Sequence, residues 1–293
     1  MQIEYIWHDC FTVRTPECSV VFDYWKDPAV GEGKPPRFIE SGDPSEMLPR
    51  DLPLYVVVSH HHKDHFNREI FRWAALFPNI RYILSRDTMR MCRHVFSPDS
   101  VYAGPKVDSS RATVLRPGES FSDGVMKVAA FGSTDIGNSY IVETGGYRLF
   151  HAGDLNAWVW ADESTPAEVR AAIRYFEAKL EPICRYLVEA HDGGCVDVAM
   201  FPVDSRIGSG YYTGAKIFVR AVDTARFLPM HFGLGDAAEQ ARYERDALRF
   251  SLYANPDRGD YLEPGIIRMG PKKNLAASPN SGGAAVFGFY TEK

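Results

Sequence analysis

The segment Leu54-Tyr55-Val56-Val57-Val58 runs without a break into Ser59-His60-His61-His62-Lys63-Asp64-His65, and this junction constrains the chain more than any other feature. A short, continuous, valine-rich apolar run reads as a strand covered on both faces, so the chain must build a sheet under helices. Four of the nine histidines fall in the seven residues that follow. Side chains alternate along an extended segment, so His60 and His62 point the same way and His61 points away, towards packing or a contact beside the site. Two imidazoles so placed can hold one ion, at about 2.0–2.1 Å for zinc. Asp64 and His65 come where the chain turns into a helix and can face an adjacent second ion. Imidazoles with a carboxylate suit zinc, iron or manganese. A solvated His-rich loop would not need a buried strand behind it, and the metal reading is preferred.

The rest of the chain supplies the elements such a site needs. Ile3–Trp7 and Ser19–Tyr24 read as strands from their β-branched and aromatic content. Residues 26–53, rich in Gly and Pro, read as a loop insertion and a candidate lid. A helix from Asn67 to Pro78, a strand at Arg81–Leu84 and a helix at Ser85–Phe96 with Ser85 as N-cap follow. Strands at Met126–Phe131, Ser139–Glu143 and Tyr147–His151 come next, the last two joined by Gly145-Gly146. Thr165-Pro166-Ala167-Glu168 opens an amphipathic helix, which Pro182 is expected to kink or end. The remaining expected elements are a strand at Val196–Phe201, a helix at Gly214–Ala225, a strand at Arg226–Met230 and a helix at Asp236–Leu252. There is no internal repeat and no break in composition. Residues 1–255 therefore read as one α/β domain built from two halves, with an irregular tail over 256–293.

Composition narrows the class of function. At 293 residues and 45% hydrophobic content the chain can bury a large core. Its net charge of −5 argues against a nucleic-acid partner. No apolar run approaches a membrane span of roughly 18 residues, and MQIEYIWHDCF lacks the features of a secretory signal. Five scattered cysteines without a CxxC pair fit a reduced, cytoplasmic protein.

The chain resembles the metallo-β-lactamase-fold hydrolases. His60-His61-His62-Lys63-Asp64-His65 matches their HxHxDH motif, Phe150-His151-Ala152-Gly153-Asp154 their strand ending in Gly-Asp, and Phe227-Leu228-Pro229-Met230-His231 their late strand ending in histidine. Trp7-His8-Asp9-Cys10-Phe11 with Ser19–Asp23 looks like the opening hairpin, most similar to that of the ascorbate-6-phosphate lactonase branch. The resemblance spans about Met1 to Leu252. It implies a four-layer αββα sandwich with one or two divalent metal ions, zinc first, at one edge between the sheets. It adds Asp154, bridging two metals, and His231 to His60, His62, Asp64 and His65 as metal ligands. One departure stands out: where the family supplies a third histidine to the first metal, this chain reads Phe131-Gly132-Ser133-Thr134-Asp135. Either Asp135, Ser133 or Thr134 substitutes, or the first site is weak and one ion sits among Asp64, His65, Asp154 and His231. A carboxylate there favours manganese or iron over zinc.

The activity so implied is metal-assisted hydrolysis of a small ester, lactone or phosphoester by a metal-bound hydroxide, with Asp64 as the catalytic residue that orients the water and moves its proton. The alternatives are a phosphodiesterase or nuclease of the same fold and a metal-binding protein without turnover; a di-iron redox role ranks last, since no flavin-binding domain follows the core. A small-molecule substrate and a homo-oligomer are expected. Asp23 and Asp204 are candidate acceptors for the ligands' other ring nitrogens, with pairing to Arg206 the plainer role for Asp204. His8 and His151 are read first as packing and second as pocket residues. Trp158 and Trp160 either pack in the core or wall a substrate pocket.

Overall fold

Alternation along the buried strand sets the layers. The computed structural model describes residues 1–25, 43–101, 103–191, 195–254 and 266–269. All five residues of the strand Leu54–Val58 are buried. Leu54, Val56 and Val58 join one apolar cluster with Ile70, Trp73 and Phe77. Tyr55 and Val57 join another with Val128, Ile141 and Leu149 of a second sheet. Burying each such side chain contributes roughly 1.5–3 kcal/mol, and only a sheet covered on both faces collects this from every residue.

Among the described residues, thirteen strands and four α-helices build two sheets with helices outside. The first sheet takes β1 (Gln2–Trp7), β2 (Cys10–Arg14), β3 (Ser19–Phe22), β4 (Leu54–Val58), β5 (Ile80–Ser85) and β6 (Ala112–Leu115), with β13 (Ile266–Arg268) beside β1. The second runs β12 (Phe227–Met230), β11 (Val198–Pro202), β10 (Tyr147–His151), β9 (Asn138–Thr144), β8 (Met126–Gly132) and β7 (Ser120–Ser122). α1 (Arg86–Cys92) packs on β5 and β6; α2 (Pro166–His191) lies on β8 and against α3 (Thr213–Ala221), and α4 (Ala237–Ala254) lies on β12. This is the expected αββα sandwich. β3 to β6 are parallel, as are β10 to β12. The carboxyl ends of β3, β4, β10, β11 and β12 carry Asp23, His60–His65, Asp154, Asp204 and His231 to the rim where the sheets meet. Among the described residues no helix is long and apolar enough to cross a membrane.

Several expectations needed correction. The helix expected from Asn67 to Pro78 is a 3-10 helix that is capped by Asn67 and covers only Arg68–Ala75. Of the two outcomes expected at Pro182, ending is overturned: helix α2 runs on to His191, because Ile183, Cys184 and Leu187 beyond the proline are buried in the core. Cys10–Arg14, not expected as a strand, pairs with both β1 and β3. Within the tail read as irregular, Ile266–Arg268 pair antiparallel with β1. Most of the candidate lid, residues 26–42, lies outside the described residues.

Candidate metal centre

Among the described residues, four other than glycine have positive φ, namely His8 (54°), Asp23 (40°), Trp158 (47°) and His231 (68°), and all four stand at this rim. Such backbone is uncommon outside glycine and clusters where function over-determines the structure. Two glycines close the site. A Cβ on Gly137 would meet the Ser59 carbonyl at 2.2 Å, and one on Gly153 would meet the Ser59 Cβ at 2.7 Å. The loops carrying Asp135 and Asp154 can therefore lie directly on the strand end that carries the histidines.

Two clusters of donor atoms result. One donor atom from each of His60, His62, Asp135 and Asp154 lies within 4.8 Å of the others, and the same holds for His8, Asp9, His65 and His231. The Asp154 carboxylate stands between them. Its Oδ2 is 3.3 Å from His60 Nε2, while its Oδ1 is 3.0 Å from His65 Nε2 and 3.3 Å from His231 Nε2. Asp135, one of the three candidates in Phe131–Asp135, joins the first cluster, with Oδ2 3.3 Å from His62 Nδ1. Thr134 does not compete for it: its hydroxyl donates to the carbonyls of Asp154 and Asn156.

Hydrogen bonds assign the ring nitrogens. The Ser59 hydroxyl donates to Asp23 and so accepts from His60 Nδ1–H at 3.0 Å, leaving His60 Nε2 unprotonated towards the first cluster. His65 Nδ1–H donates to Asp23 at 2.8 Å and His231 Nδ1–H to Asp204 at 2.9 Å, which turns both Nε2 lone pairs into the second. Asp204 serves both of its expected roles, since Arg206 Nε also donates to it at 2.8 Å. His151 is excluded as a ligand: its Nδ1 accepts from Gly153 N–H and its Nε2–H donates to the Asp9 carbonyl. His61 points out to Asp87, as alternation requires.

The donor set fits divalent metal. Both Asp9 carboxylate oxygens, His65 Nε2 and Asp154 Oδ1 are buried and make no hydrogen bond. Such a convergence of unpartnered atoms costs several kcal/mol unless a cation satisfies them. Burial lowers the His65 and His231 pKa values, but the Asp154 and Asp9 carboxylates outweigh it; His65 is held well above its ordinary range and His231 at about 10. Burial drives Asp9 the other way, up to about 8. Without metal at neutral pH the cradle thus holds protons that an ion must displace, so affinity should rise with pH. Calorimetric titration with zinc at pH 7, in two buffers of different ionisation enthalpy, should report at least one proton released per chain. A heat independent of buffer would contradict this.

Asp64 lies at the mouth of the second cluster, its Oδ2 3.5 Å from His8 Nε2. His8 is buried in the site, not merely packed in the hairpin. Trp158 walls it, its ring centroid 5.1 Å from that of His231 and its indole N–H donating to the Asp154 carbonyl. Trp160 is 45% exposed and takes no part. Asp9 was not singled out by sequence reading. The available signal was a histidine and an aspartate forming the turn between two apolar strands.

Paired His/Asp clusters at the rim of an αββα sandwich, with the Asp154 carboxylate of one reaching the histidines of the other, mark a candidate metal centre of the metallo-β-lactamase fold. Residues 2–168 match the model of the beta-lactamase superfamily domain, and the chain belongs to that superfamily. No curated protein matches the sequence. Among solved structures it is similar to Igni18, described as a novel metallo hydrolase from the hyperthermophilic archaeon Ignicoccus hospitalis (15% identity, TM-score 0.52), over 92% of this chain and 99% of that one. It is equally similar to CmlA, a diiron beta-hydroxylase from Streptomyces venezuelae (15% identity, TM-score 0.52), over 92% of this chain and 54% of that one. At this identity the likenesses show the fold alone.

Proposed function

We propose that this chain is a metal-dependent hydrolase of a small ester, lactone or phosphoester. The observation carrying this reading is the Asp154 carboxylate, with one oxygen in each of two His/Asp clusters. His60, His62, Asp135 and Asp154 would hold one ion, and His65, His231 and Asp154 would share in holding the other. Bound divalent ions would supply acidified water and polarise the scissile carbonyl or phosphoryl group.

The chain's own groups do the rest. Asp64 stays ionised, because His8 and the charges of His65 and His231 outweigh the upward push of burial. At the mouth of the site it can accept a hydrogen bond from an attacking water and pass its proton on. Beside the metal ligands opens a cavity of about 740 Å³ lined by Trp25, Phe66 and Met91 with Lys63 and Arg68. Those residues suit a substrate with an apolar body and an anionic group.

One observation favours a second reading. Asp135 in place of a histidine makes the first cluster richer in oxygen and suits iron or manganese, the metals of redox as well as hydrolytic centres. The test is turnover of p-nitrophenyl esters, lactones and bis(p-nitrophenyl) phosphate by chain loaded separately with zinc, manganese and iron. Cleavage of the small esters or lactones is expected. Cleavage of the phosphodiester alone would favour the phosphodiesterase alternative. Oxygen uptake by the iron form without hydrolysis would favour the redox reading, and tight metal without turnover would favour a binding protein.

A further inference from the structure

The buried turn His8-Asp9, between β1 and β2, is the part of the centre that the resemblance does not account for. His8 has its φ at 54° and is fixed through the far end of the chain, His231 N–H donating to its carbonyl at 3.1 Å and Gly233 N–H to its Nδ1 at 2.9 Å. Because Nδ1 accepts a hydrogen bond, the neutral ring carries its proton on Nε2. His8 Nε2 is therefore a donor and not a metal ligand. It stands 3.1 Å from Asp9 Oδ2 and 3.5 Å from Asp64 Oδ2. Its N–H faces two carboxylates that differ in every other respect.

Asp9 is fully buried, with both carboxylate oxygens unbonded and Oδ2 3.5 Å from His65 Nε2, whose lone pair points into the same space. Its backbone is held by His151 Nε2–H on its carbonyl at 2.9 Å. The Asp64 side chain is 26% exposed, and Asp64 belongs to neither convergent group of donor atoms. Once the imidazoles around it give up their protons, a carboxylate sealed from water is stable only with a cation. A carboxylate at the mouth has water to solvate it.

We propose that Asp9 takes the second-metal ligand place that the resemblance gives to Asp64. The second ion is then held by Asp9, Asp154, His65 and His231, with His8 Nε2–H steering both carboxylates and Asp64 left off the metal. This rests on the metal-dependent reading and explains how Asp64 stays available for proton transfer, since a ligating carboxylate has an oxygen committed to the ion.

The test compares Asp9→Asn with Asp64→Asn by elemental analysis and by titration with zinc and manganese. The wild type should bind two ions, Asp64→Asn two, and Asp9→Asn one, or two with the weaker affinity lowered at least 100-fold. Two ions of unchanged affinity in Asp9→Asn would overturn the proposal, as would loss of the second ion in Asp64→Asn. No metal in the wild type would overturn both this assignment and the metal-dependent reading, whereas two ions of unchanged affinity in all three proteins would overturn this assignment alone. A second pair of variants guards against misfolding of Asp9→Asn. Loaded with cobalt(II), Asp9→Cys should show a thiolate-to-cobalt charge-transfer band that the wild type and Asp64→Cys lack, because a coordinating thiol is deprotonated by its ion. A band in Asp64→Cys and none in Asp9→Cys would reverse the assignment.

Discussion

Replacing Asp154 by alanine is expected to take the chain from two bound ions to at most one and to lower hydrolytic turnover about a thousandfold, or about 4 kcal/mol of transition-state stabilisation. This side chain belongs to the donor cluster of His60, His62 and Asp135, with Oδ2 close to His60 Nε2, and its Oδ1 reaches His65 and His231 Nε2 of the other cluster. Its aim is set by the backbone. Thr134 Oγ1–H and Trp158 Nε1–H both donate to the Asp154 carbonyl, and the positive φ of Gly153 turns the chain off β10. The carboxylate is thus placed before any ligand arrives, so its removal costs oriented binding. Elemental analysis and turnover, read beside circular dichroism to establish folding, check the result. Two ions of wild-type affinity in the variant would mean that the clusters bind independently and that Asp154 bridges nothing.

The parts of the centre legible in the sequence are those where local rules decide the geometry. A valine-rich strand can lie only in a covered sheet, and alternation beyond it separates His60 and His62 from His61, as the Asp87 contact of His61 bears out. Asp135 was one of three named candidates, and sequence could not choose among them because the choice depends on Thr134 bonding to the loop after β10. Asp9 was missed for a different reason. A two-residue hairpin turn is ordinarily solvated; this one is buried because Gly233 and His231, more than 220 residues later, close over it. β6 and β7 were missed because they are short and partly exposed, so neither shows a buried run or a clean alternation. Pro182 does not end its helix because the apolar residues beyond it outweigh the hydrogen bond that a proline costs a helix.

Asp23→Ala is expected to destabilise the metal-free chain by about 3–5 kcal/mol and to weaken metal binding at both positions. Asp23 touches no ion in any reading of the centre, yet three donors end on it: Ser59 N–H at 2.7 Å, the Ser59 hydroxyl and His65 Nδ1–H at 2.8 Å. Through Ser59 it fixes the ring of His60, and directly it fixes that of His65, so one buried carboxylate sets ligands of both clusters. Alanine would leave these donors without an acceptor in an interior that water does not reach. Both imidazoles would then be free to take the other tautomer, with Nε2 protonated against the metal. The same carboxylate gives an acid signature. Burial pushes its pKa up, but the charges of His151 and His65 and the His65 bond hold it below the ordinary aspartate value. Its contribution is therefore complete above the unfolded pKa, about 3.9, and is lost as pH falls through the lower folded value. Thermal unfolding of metal-free protein from pH 7 to 3 should show a midpoint lowered by roughly 10 °C in Asp23→Ala at pH 7. The gap should narrow towards the acid end, as the wild type begins to lose what the variant never had. A gap that stays constant or widens as the pH falls would mean that the Asp23 charge stabilises neither the strand end nor the two histidines it orients.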